Sequence, residues 1–158
     1  MPRPSRASAQ AVSKSEFEKL AHFRYQVRRF LRFSEEVSRR SGITSLQYQL
    51  LLQIMGYPGR DWATVGELAE RLQAKHHGVV SLVTRCEALG LVSRSTGRSD
   101  KRQVEVRLTR KGVRCAERLA SLHRRELLSL KGTFTMPDLP APGSDQGGSK
   151  AKSNRKGG

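Results

Sequence analysis

Residues 65–112 read VGELAERLQAKHHGVVSLVTRCEALGLVSRSTGRSDKRQVEVRLTRKG, and this stretch decides the fold. Thr64 and Glu67 have the spacing of a capping box, which predicts the start of a short helix. A second helix is predicted from Ala74 to Leu89, because Gly90 marks its end. Two short helices that are joined this tightly are typical of a helix-turn-helix.

The remainder of the stretch predicts a β-hairpin. LVSRS and VEVRLT are strand candidates, and the basic loop TGRSDKRQ between them would form the tip. Side chains alternate between the two faces of a strand, so we expect Val104, Val106 and Leu108 to face the core. On the same basis we expect Glu105 and Arg107 to face solvent. The predicted fold class is mainly α with a small β-hairpin wing, a winged helix-turn-helix.

A long helix is predicted before this stretch. Ser15 and Glu18 have the spacing of a capping box at its start, and Gly42 suits a left-handed cap at its end. Its apolar residues recur at three-to-four spacing, which indicates one apolar face. These residues are Phe17, Leu20, Phe23, Val27, Phe30, Leu31 and Val37.

Two further helices complete the prediction. Thr44 and Gln47 form a capping box before an apolar helix that ends ahead of Gly56. After the hairpin, a last helix is predicted from Thr109 to about Leu130. The loop between the apolar helix and the helix-turn-helix is rich in Gly and Pro and predicts no regular structure.

The charge of the chain points to its partner. The chain has 158 residues, with 30 lysines and arginines against 14 aspartates and glutamates, and a net charge of +16 when histidine is neutral. Residues 13–130 keep +11 of this charge, because the two ends carry +5. Such an excess on the folded part favours a polyanionic partner, above all nucleic acid, and less strongly an anionic membrane surface.

Composition also divides the chain. Residues 1–12 are rich in Pro, Ser and Ala, and residues 132–158 in Gly, Pro, Ser and Lys, so we expect two disordered basic ends. One winged-helix domain is predicted over residues 13–131. The sequence has no apolar run that would span a bilayer, no signal-peptide pattern and only two cysteines, so we expect a cytoplasmic protein.

At this point the sequence resembles a known family. GELAERL, LVTRCEALGLVSR, DKR and VEVRLTRKG, all within Val65–Gly112, are similar to the MarR family of bacterial transcription regulators. The resemblance implies an obligate homodimer with dimerisation helices at residues 13–43 and 110–131 and a DNA-binding lobe at residues 44–109. Family members usually have two helices after the wing, whereas this sequence predicts one helix and a polar tail.

The helix-turn-helix and the wing predict where DNA binds. The start of the second helix would face base edges in the major groove, where Gly78 permits a close approach. In the wing, DNA phosphates would repel the Asp100 carboxylate, so we expect it to hold Arg102 or Arg94 in one orientation through a bidentate pair. The alternative is that Asp100 only forms the turn. The alternative for Thr64 is that it only caps its helix. The alternative for His76 and His77 is that they lie in solvent at the helix start. The predicted DNA-binding residues are Thr64, Lys75, His76, His77, Gly78, Ser81, Thr84, Arg85, Arg94, Arg98, Asp100, Lys101 and Arg102.

The leading functional prediction is a sequence-specific regulator of transcription. It would act as a repressor that binds a palindromic operator in double-stranded DNA as a homodimer. The resemblance implies release by a small aromatic effector in a cleft, and the side chains available to line one are Phe23, Phe30, Tyr48, Tyr57 and Trp62, which otherwise belong to the core. Two alternatives remain: a non-specific nucleoid-type protein, and a winged helix that binds other proteins.

Other chemistry has little support in the sequence. There is no phosphate loop, nucleophile elbow or metal-ligand spacing, so neither an enzyme nor a metal or cofactor site is predicted. Cys86 and Cys115 are expected in the core, with oxidant sensing as the less favoured alternative.

Overall fold

A computed structural model describes residues 11–97, 100–132 and 134–141, and it confirms the predicted fold class. The described part has five helices and a three-stranded sheet. In chain order the elements are α1 (Lys14–Arg40), α2 (Ser45–Met55), β1 (Trp62–Thr64), α3 (Val65–Arg71), α4 (His76–Ala88), β2 (Val92–Thr96), β3 (Val104–Leu108) and α5 (Arg110–Ser129).

Most helix boundaries follow the predicted caps. The capping boxes before α2 and α3 are confirmed, and so is the left-handed Gly42 after α1, with φ at +79°. The predicted box of Ser15 with Glu18 is wrong, because Ser13 and Glu16 form the box instead. The sequence SKSEFE contains this spacing twice, and the earlier choice adds residues to the helix.

The sheet has one strand more than the sequence predicts. All pairs are antiparallel in the order β1-β3-β2, so β3 lies in the centre. Trp62, which was expected at the end of a loop, opens β1 and pairs with Arg107. The strand has only three residues and its partner is distant in sequence, so no local pattern predicts it.

The expected alternation along β3 is only partly right. Val106 is fully buried, as predicted, but Val104 is 41% exposed because it lies at the tip end of the strand, away from the core. Glu105, which was expected in solvent, is 3% exposed. It lies on the central strand between two neighbours, and its carboxylate is 3.6 Å from the Arg107 guanidinium.

One hydrophobic core joins α2, the helix-turn-helix, the sheet and α5. Cys86 is part of it, as predicted, and burial raises the pKa of its thiol to about 11. Cys115 is only partly buried and packs against this core. The largest fully buried side chains include Leu50, Leu51, Ile54, Leu68, Leu82, Leu91 and Leu119.

The first helix differs most from expectation. Phe17, Leu20 and Leu31 of its predicted apolar face are exposed, whereas the buried residues of α1 are the polar Gln26, Ser34 and Ser38. A single folded chain therefore leaves much of the apolar surface of α1 uncovered. None of the helices in the described ranges is long and apolar enough to cross a lipid bilayer.

A buried histidine links α1 to α5. The Nδ1 atom of His123 lies 2.7 Å from the Leu119 carbonyl, which can only accept, so this nitrogen carries the proton. Its Nε2 atom then accepts from the Ser34 hydroxyl at 2.9 Å. The ring also stacks on Tyr48 with a centroid distance of 4.5 Å.

After α5 the chain returns to α1. Residues 134–141 have no regular secondary structure, but the Phe134 ring lies 5.7 Å from that of Phe23. Lys19 Nζ donates to the Asp138 carbonyl at 2.7 Å. Residues 1–10 and 142–158, most of the two predicted disordered ends, lie outside the described residues.

Candidate nucleic-acid interface

The start of α4 is open to solvent. Lys75 is its N-cap and makes no side-chain cap within the described chain, and His76, His77 and Gly78 of the first turn are exposed. Backbone N–H groups at an uncapped helix start have no partner in the helix and attract anions. The predicted recognition surface is thus accessible, with its backbone donors still available to a phosphate.

Further along α4, the hydroxyls are already engaged. Ser81 Oγ donates to the His77 carbonyl at 3.1 Å, and Thr84 Oγ1 donates to the Val80 carbonyl at 3.0 Å. Both side chains are exposed, and each oxygen keeps acceptor capacity for a base amino group. The adjacent Arg85 is also exposed.

Arg94 of β2 has a different partner from the one predicted. It does not pair with Asp100; its Nη2 donates to Glu87 Oε2 of α4 at 2.6 Å, and its Nη1 lies 3.4 Å from Thr84 Oγ1. The Arg94 guanidinium lowers the pKa of Glu87 below its ordinary value. This pair fixes the wing to α4.

At the wing tip, Asp100 does pair with Arg102. One carboxylate oxygen accepts both bonds, from the Arg102 backbone N–H at 2.9 Å and from its Nε at 3.3 Å, so the predicted bidentate geometry is wrong. The backbone bond is that of an Asp turn, so the turn-forming alternative is present as well. The Arg102 side chain is 92% exposed, Lys101 is exposed, and Arg98 lies outside the described residues.

A groove connects the two predicted surfaces. It has a volume of about 610 Å³ and runs between the start of α3, α4 and the wing. Thr64, His76, Arg94 and Arg102 of the predicted set line it. The structure therefore brings together residues from both the helix-turn-helix and the wing that are far apart in sequence.

The motif at the start of α5 holds this lobe together. Thr109 Oγ1 donates to the Gly90 carbonyl at 2.6 Å, which fixes the first turn of α5 against the end of α4. A Cβ atom on Gly112 would lie 1.9 Å from the Leu91 carbonyl oxygen. Only glycine permits this approach, so the pattern Leu-Thr-x-x-Gly sets the position of α5 against the end of α4.

The start of α3 has an ionic anchor that sequence reasoning missed. Burial raises the pKa of the Glu67 carboxyl. The hydrogen bonds that this carboxylate accepts, above all the one from Arg60, have a larger effect in the opposite direction, and they lower its pKa to about 2. Glu67 also accepts from the Thr64 N–H at 2.8 Å. The Arg60 guanidinium lies over the rings of Tyr57 and Trp62, at 4.1 Å and 3.9 Å from their centroids. Arg60 follows a Gly/Pro turn, and no local spacing in the sequence predicts that it pairs with Glu67.

The five aromatic residues predicted to line an effector cleft do not form one group. Tyr57 and Trp62 enclose Arg60, whereas Phe30 and Tyr48 surround His123, and Phe23 contacts the segment after α5. In the described ranges no three His, Cys, Asp or Glu side chains form a group that could hold a metal ion.

Comparison with known proteins finds one family whose sequence model matches part of the chain. Residues 41–103 match the sequence model of the MarR family, a range that runs from the turn before α2 to the wing. Among proteins of curated function, none matches the sequence.

Solved structures agree over more of the chain. The fold is similar to AbsC, a MarR family transcriptional regulator from Streptomyces coelicolor, with a TM-score of 0.67 and 22% identity over 79% of this chain and 82% of that one. A MarR family protein from Bacillus stearothermophilus gives 0.63 and 27% identity over 79% and 86%. MepR from S. aureus in complex with DNA gives 0.63 and 20% identity over 79% and 87%. Residues 41–103 thus match the MarR family, and the fold is similar to that of MarR family winged helix-turn-helix transcriptional regulators.

Proposed function

We propose that this chain is a MarR family regulator that binds a palindromic operator in double-stranded DNA as a homodimer and represses transcription. The observation that carries the proposal is the groove between α4 and the wing. The uncapped start of α4 and the cationic wing tip lie on its borders, so one rigid lobe can offer hydrogen-bond donors to bases and charge to phosphates.

The relatives support DNA as the partner. The fold is shared with MepR, which has been solved as a complex with DNA. Helix-turn-helix proteins insert the start of the second helix into the major groove, and a basic hairpin suits the negative potential of a narrow minor groove. Under this proposal, His76, His77 and Ser81 face base edges, while Lys101 and Arg102 contact the backbone or the minor groove.

Uncovered apolar surface supports a dimer. In the isolated chain, large side chains are exposed on the first half of α1, at the end of α5 and in the segment that follows it. A monomer rarely leaves so much apolar surface in water, and a second copy of the chain would cover it. The residues concerned are Phe17, Leu20, Tyr25, Leu127, Leu128, Phe134 and Met136.

Repression and its release complete the proposal. A regulator that occupies an operator blocks transcription most simply by covering the promoter, and a small aromatic effector would release it by changing the relative position of the two lobes. The alternative of a non-specific nucleoid-type protein is favoured by the net charge of +16. A protein-interaction module is the weaker alternative, because an exposed cationic wing tip has no evident use there.

Selection of bound fragments from genomic DNA tests the proposal. The purified full chain is expected to enrich an inverted repeat whose half-sites lie roughly 34–36 Å apart, about one helical turn, with two chains bound per site. Fragments without a shared motif, or a single chain per site in sedimentation experiments, would contradict it. The same selection with a Lys101→Ala/Arg102→Ala variant serves as a control for binding through the wing.

A further inference from the structure

A row of arginines lies on the first helix, outside the predicted DNA-binding set. Residues 19–34 contain five basic and no acidic residues. Arg24, Arg28 and Arg32 follow one another at intervals of four residues, so they lie on one face of α1, about 6 Å apart along its axis. All three side chains are exposed to solvent, and together they form the α1 arginine row.

The row has no counter-charge within the folded chain. None of its three arginines forms an ion pair with an acidic side chain in the part of the chain that the structure describes. Glu36 follows Arg32 by one turn of the helix. Its carboxylate pairs with Arg39 and Arg40 instead. Like charges four residues apart destabilise a helix, so an external polyanion would relieve the repulsion within the row.

The row is separate from the groove between α4 and the wing. No described residue of α1 lines that groove, and α1 packs mainly against α2 and α5. The surface that carries the proposed operator binding therefore does not include the row. A partner of the row would be held in addition to the operator.

A second copy of the chain is a poor partner for the row. The apolar surface that the proposed dimer would cover includes Phe17, Leu20 and Tyr25 of α1. Burying guanidinium groups costs more than it returns unless each of them finds a well-placed carboxylate. We therefore expect the row to stay in contact with water when two chains associate.

The chemistry of the row favours phosphates in a rigid, linear arrangement. The row consists of arginine alone, and a guanidinium group binds phosphate through two parallel hydrogen bonds. Duplex DNA carries one negative charge for about every 1.7 Å of its axis, so a row about 12 Å long meets several phosphates at once.

Other polyanions fit the row less well. An acidic protein segment presents carboxylates only where its own fold places them. A membrane surface requires apolar side chains that insert into the lipid, and most of those exposed on α1 belong to the surface that the proposed dimer covers.

We propose that the α1 arginine row binds the phosphate backbone of a second DNA duplex, so that the protein holds two DNA segments together. Contacts with phosphate carry no sequence information, so the second duplex can have any sequence. The bridging role rests on the proposed function, because the first duplex is the one that the helix-turn-helix and the wing hold.

Capture of a second duplex tests the proposal. A duplex of random sequence is immobilised on beads, the full chain is added at about 100 mM salt, and a labelled duplex of unrelated sequence follows. The bound chain and the captured label are measured separately. Arg24→Gln/Arg28→Gln/Arg32→Gln should reduce capture of the label about tenfold or more, while the amount of chain on the beads changes by less than about twofold.

The matched control is Arg118→Gln/Arg124→Gln/Arg125→Gln. It removes the same charge from exposed positions on α5 that do not form one row, and its capture of the label should stay within about twofold of the wild type. On immobilised polyglutamate and on vesicles that contain phosphatidylserine, the two variants should bind alike. Circular dichroism establishes that each variant is folded.

Several results would overturn the row as a second DNA site. Capture by the row variant at the wild-type level would mean that two DNA-binding lobes of one dimer do the bridging. Equal losses in the two variants would indicate attraction to overall charge only. A loss of polyglutamate or vesicle binding confined to the row variant would assign the row to an acidic protein or to a membrane. A change in its oligomeric state in sedimentation would place the row in the dimer interface.

Failure of this proposal and failure of the proposed function give different results. Chain that binds the beads but captures no second duplex would overturn the row and leave operator binding intact. If operator selection finds no motif, capture still tests the row, because both duplexes in this experiment have random sequence.

Discussion

The helix-turn-helix and the wing differ sharply in charge. Residues 65–88 contain three basic and three acidic residues, whereas residues 93–114 contain eight basic and two acidic ones. The helix-turn-helix segment therefore carries almost no net charge that could attract DNA. We infer a division of labour in which the wing supplies affinity that depends on salt and the helix supplies discrimination between bases.

Internal pairing deepens this difference. Two carboxylates of the helix-turn-helix form ion pairs with arginines: Glu67 pairs with Arg60, and Glu87 pairs with Arg94. These ion pairs fix the position of the lobe, and they neutralise arginine charge that would otherwise attract DNA. At the wing tip, Arg102 also has a carboxylate partner, Asp100, but its side chain is almost fully exposed, and Lys101 is exposed too.

The largest effect is expected where the two regions are joined. A Gly112→Ala substitution places a Cβ atom against the Leu91 carbonyl, so α5 must move away from the junction of α4 and β2. We expect a loss of about 3 kcal/mol or more in the free energy of unfolding, measured by urea denaturation. Gly66→Ala in α3 is the control: its Cβ meets nothing within 4 Å, and it should stabilise the fold by about 0.5–1 kcal/mol. Equal effects of the two substitutions would contradict the close approach at Gly112.

The wing should control the salt dependence. Removing two cations per chain with Lys101→Ala/Arg102→Ala should, for each bound chain, reduce the slope of log affinity against log salt by about 2 and weaken binding about 30-fold near 150 mM salt. The loss should be similar on operator and random DNA, because phosphate contacts carry no sequence information. Arg124→Ala/Arg125→Ala, with the same charge change on α5, should leave the slope unaltered. A slope that falls equally in both variants would assign the attraction to net charge and not to the wing.

The helix start should control the approach to DNA. A Cβ atom added at Gly78 meets nothing within 4 Å in the free protein, so Gly78→Ala should raise the free energy of unfolding by about 0.5–1 kcal/mol. Against operator DNA the same methyl group should reduce affinity about tenfold, if the backbone approaches the groove as proposed. Thermal unfolding and gel-shift titration measure the two effects. An increase in stability without any loss of affinity would show that the DNA does not approach the backbone of this turn.

A smaller effect is expected at the anchor of α3. The pKa of Glu67 is lowered from 4.5 to about 2, so its ionisation stabilises the fold above pH 4.5, and this stabilisation is lost as the pH falls toward 2. Glu67→Gln replaces the carboxylate with an amide, whose oxygen can still accept from the Thr64 N–H, and removes the charge. With solvent screening, we expect a loss of about 1 kcal/mol at pH 7 and a smaller difference in stability between pH 5 and pH 2 than in the wild type. Identical pH dependence in both proteins would show that the Arg60 pair contributes nothing.

Sequence patterns predicted the parts of the fold that depend on neighbours in the chain. Capping boxes at Thr44 and Thr64 and the glycine after α1 determine helix ends through contacts within three or four residues, and these predictions are confirmed. The strand β1 and the burial of Glu105 depend on pairing across more than 40 residues, which local periodicity cannot reveal. The Ser15 cap failed for a different reason, since two overlapping boxes had the same spacing.

For the site, residue types were easier to predict than partners. The wing tip, the exposed histidines and Gly78 follow from their positions in the helix-turn-helix pattern. That Arg94 pairs with Glu87 and not with Asp100 depends on how β2 crosses the end of α4.

The most direct measurement compares the affinity of the full chain for its selected inverted repeat with that for a scrambled duplex of equal length, at about 150 mM salt. If α4 reads bases while the wing supplies attraction, the ratio should reach about 10³ or more. A ratio near one would mean that charge alone binds DNA, and it would contradict the assignment of α4 as a recognition helix.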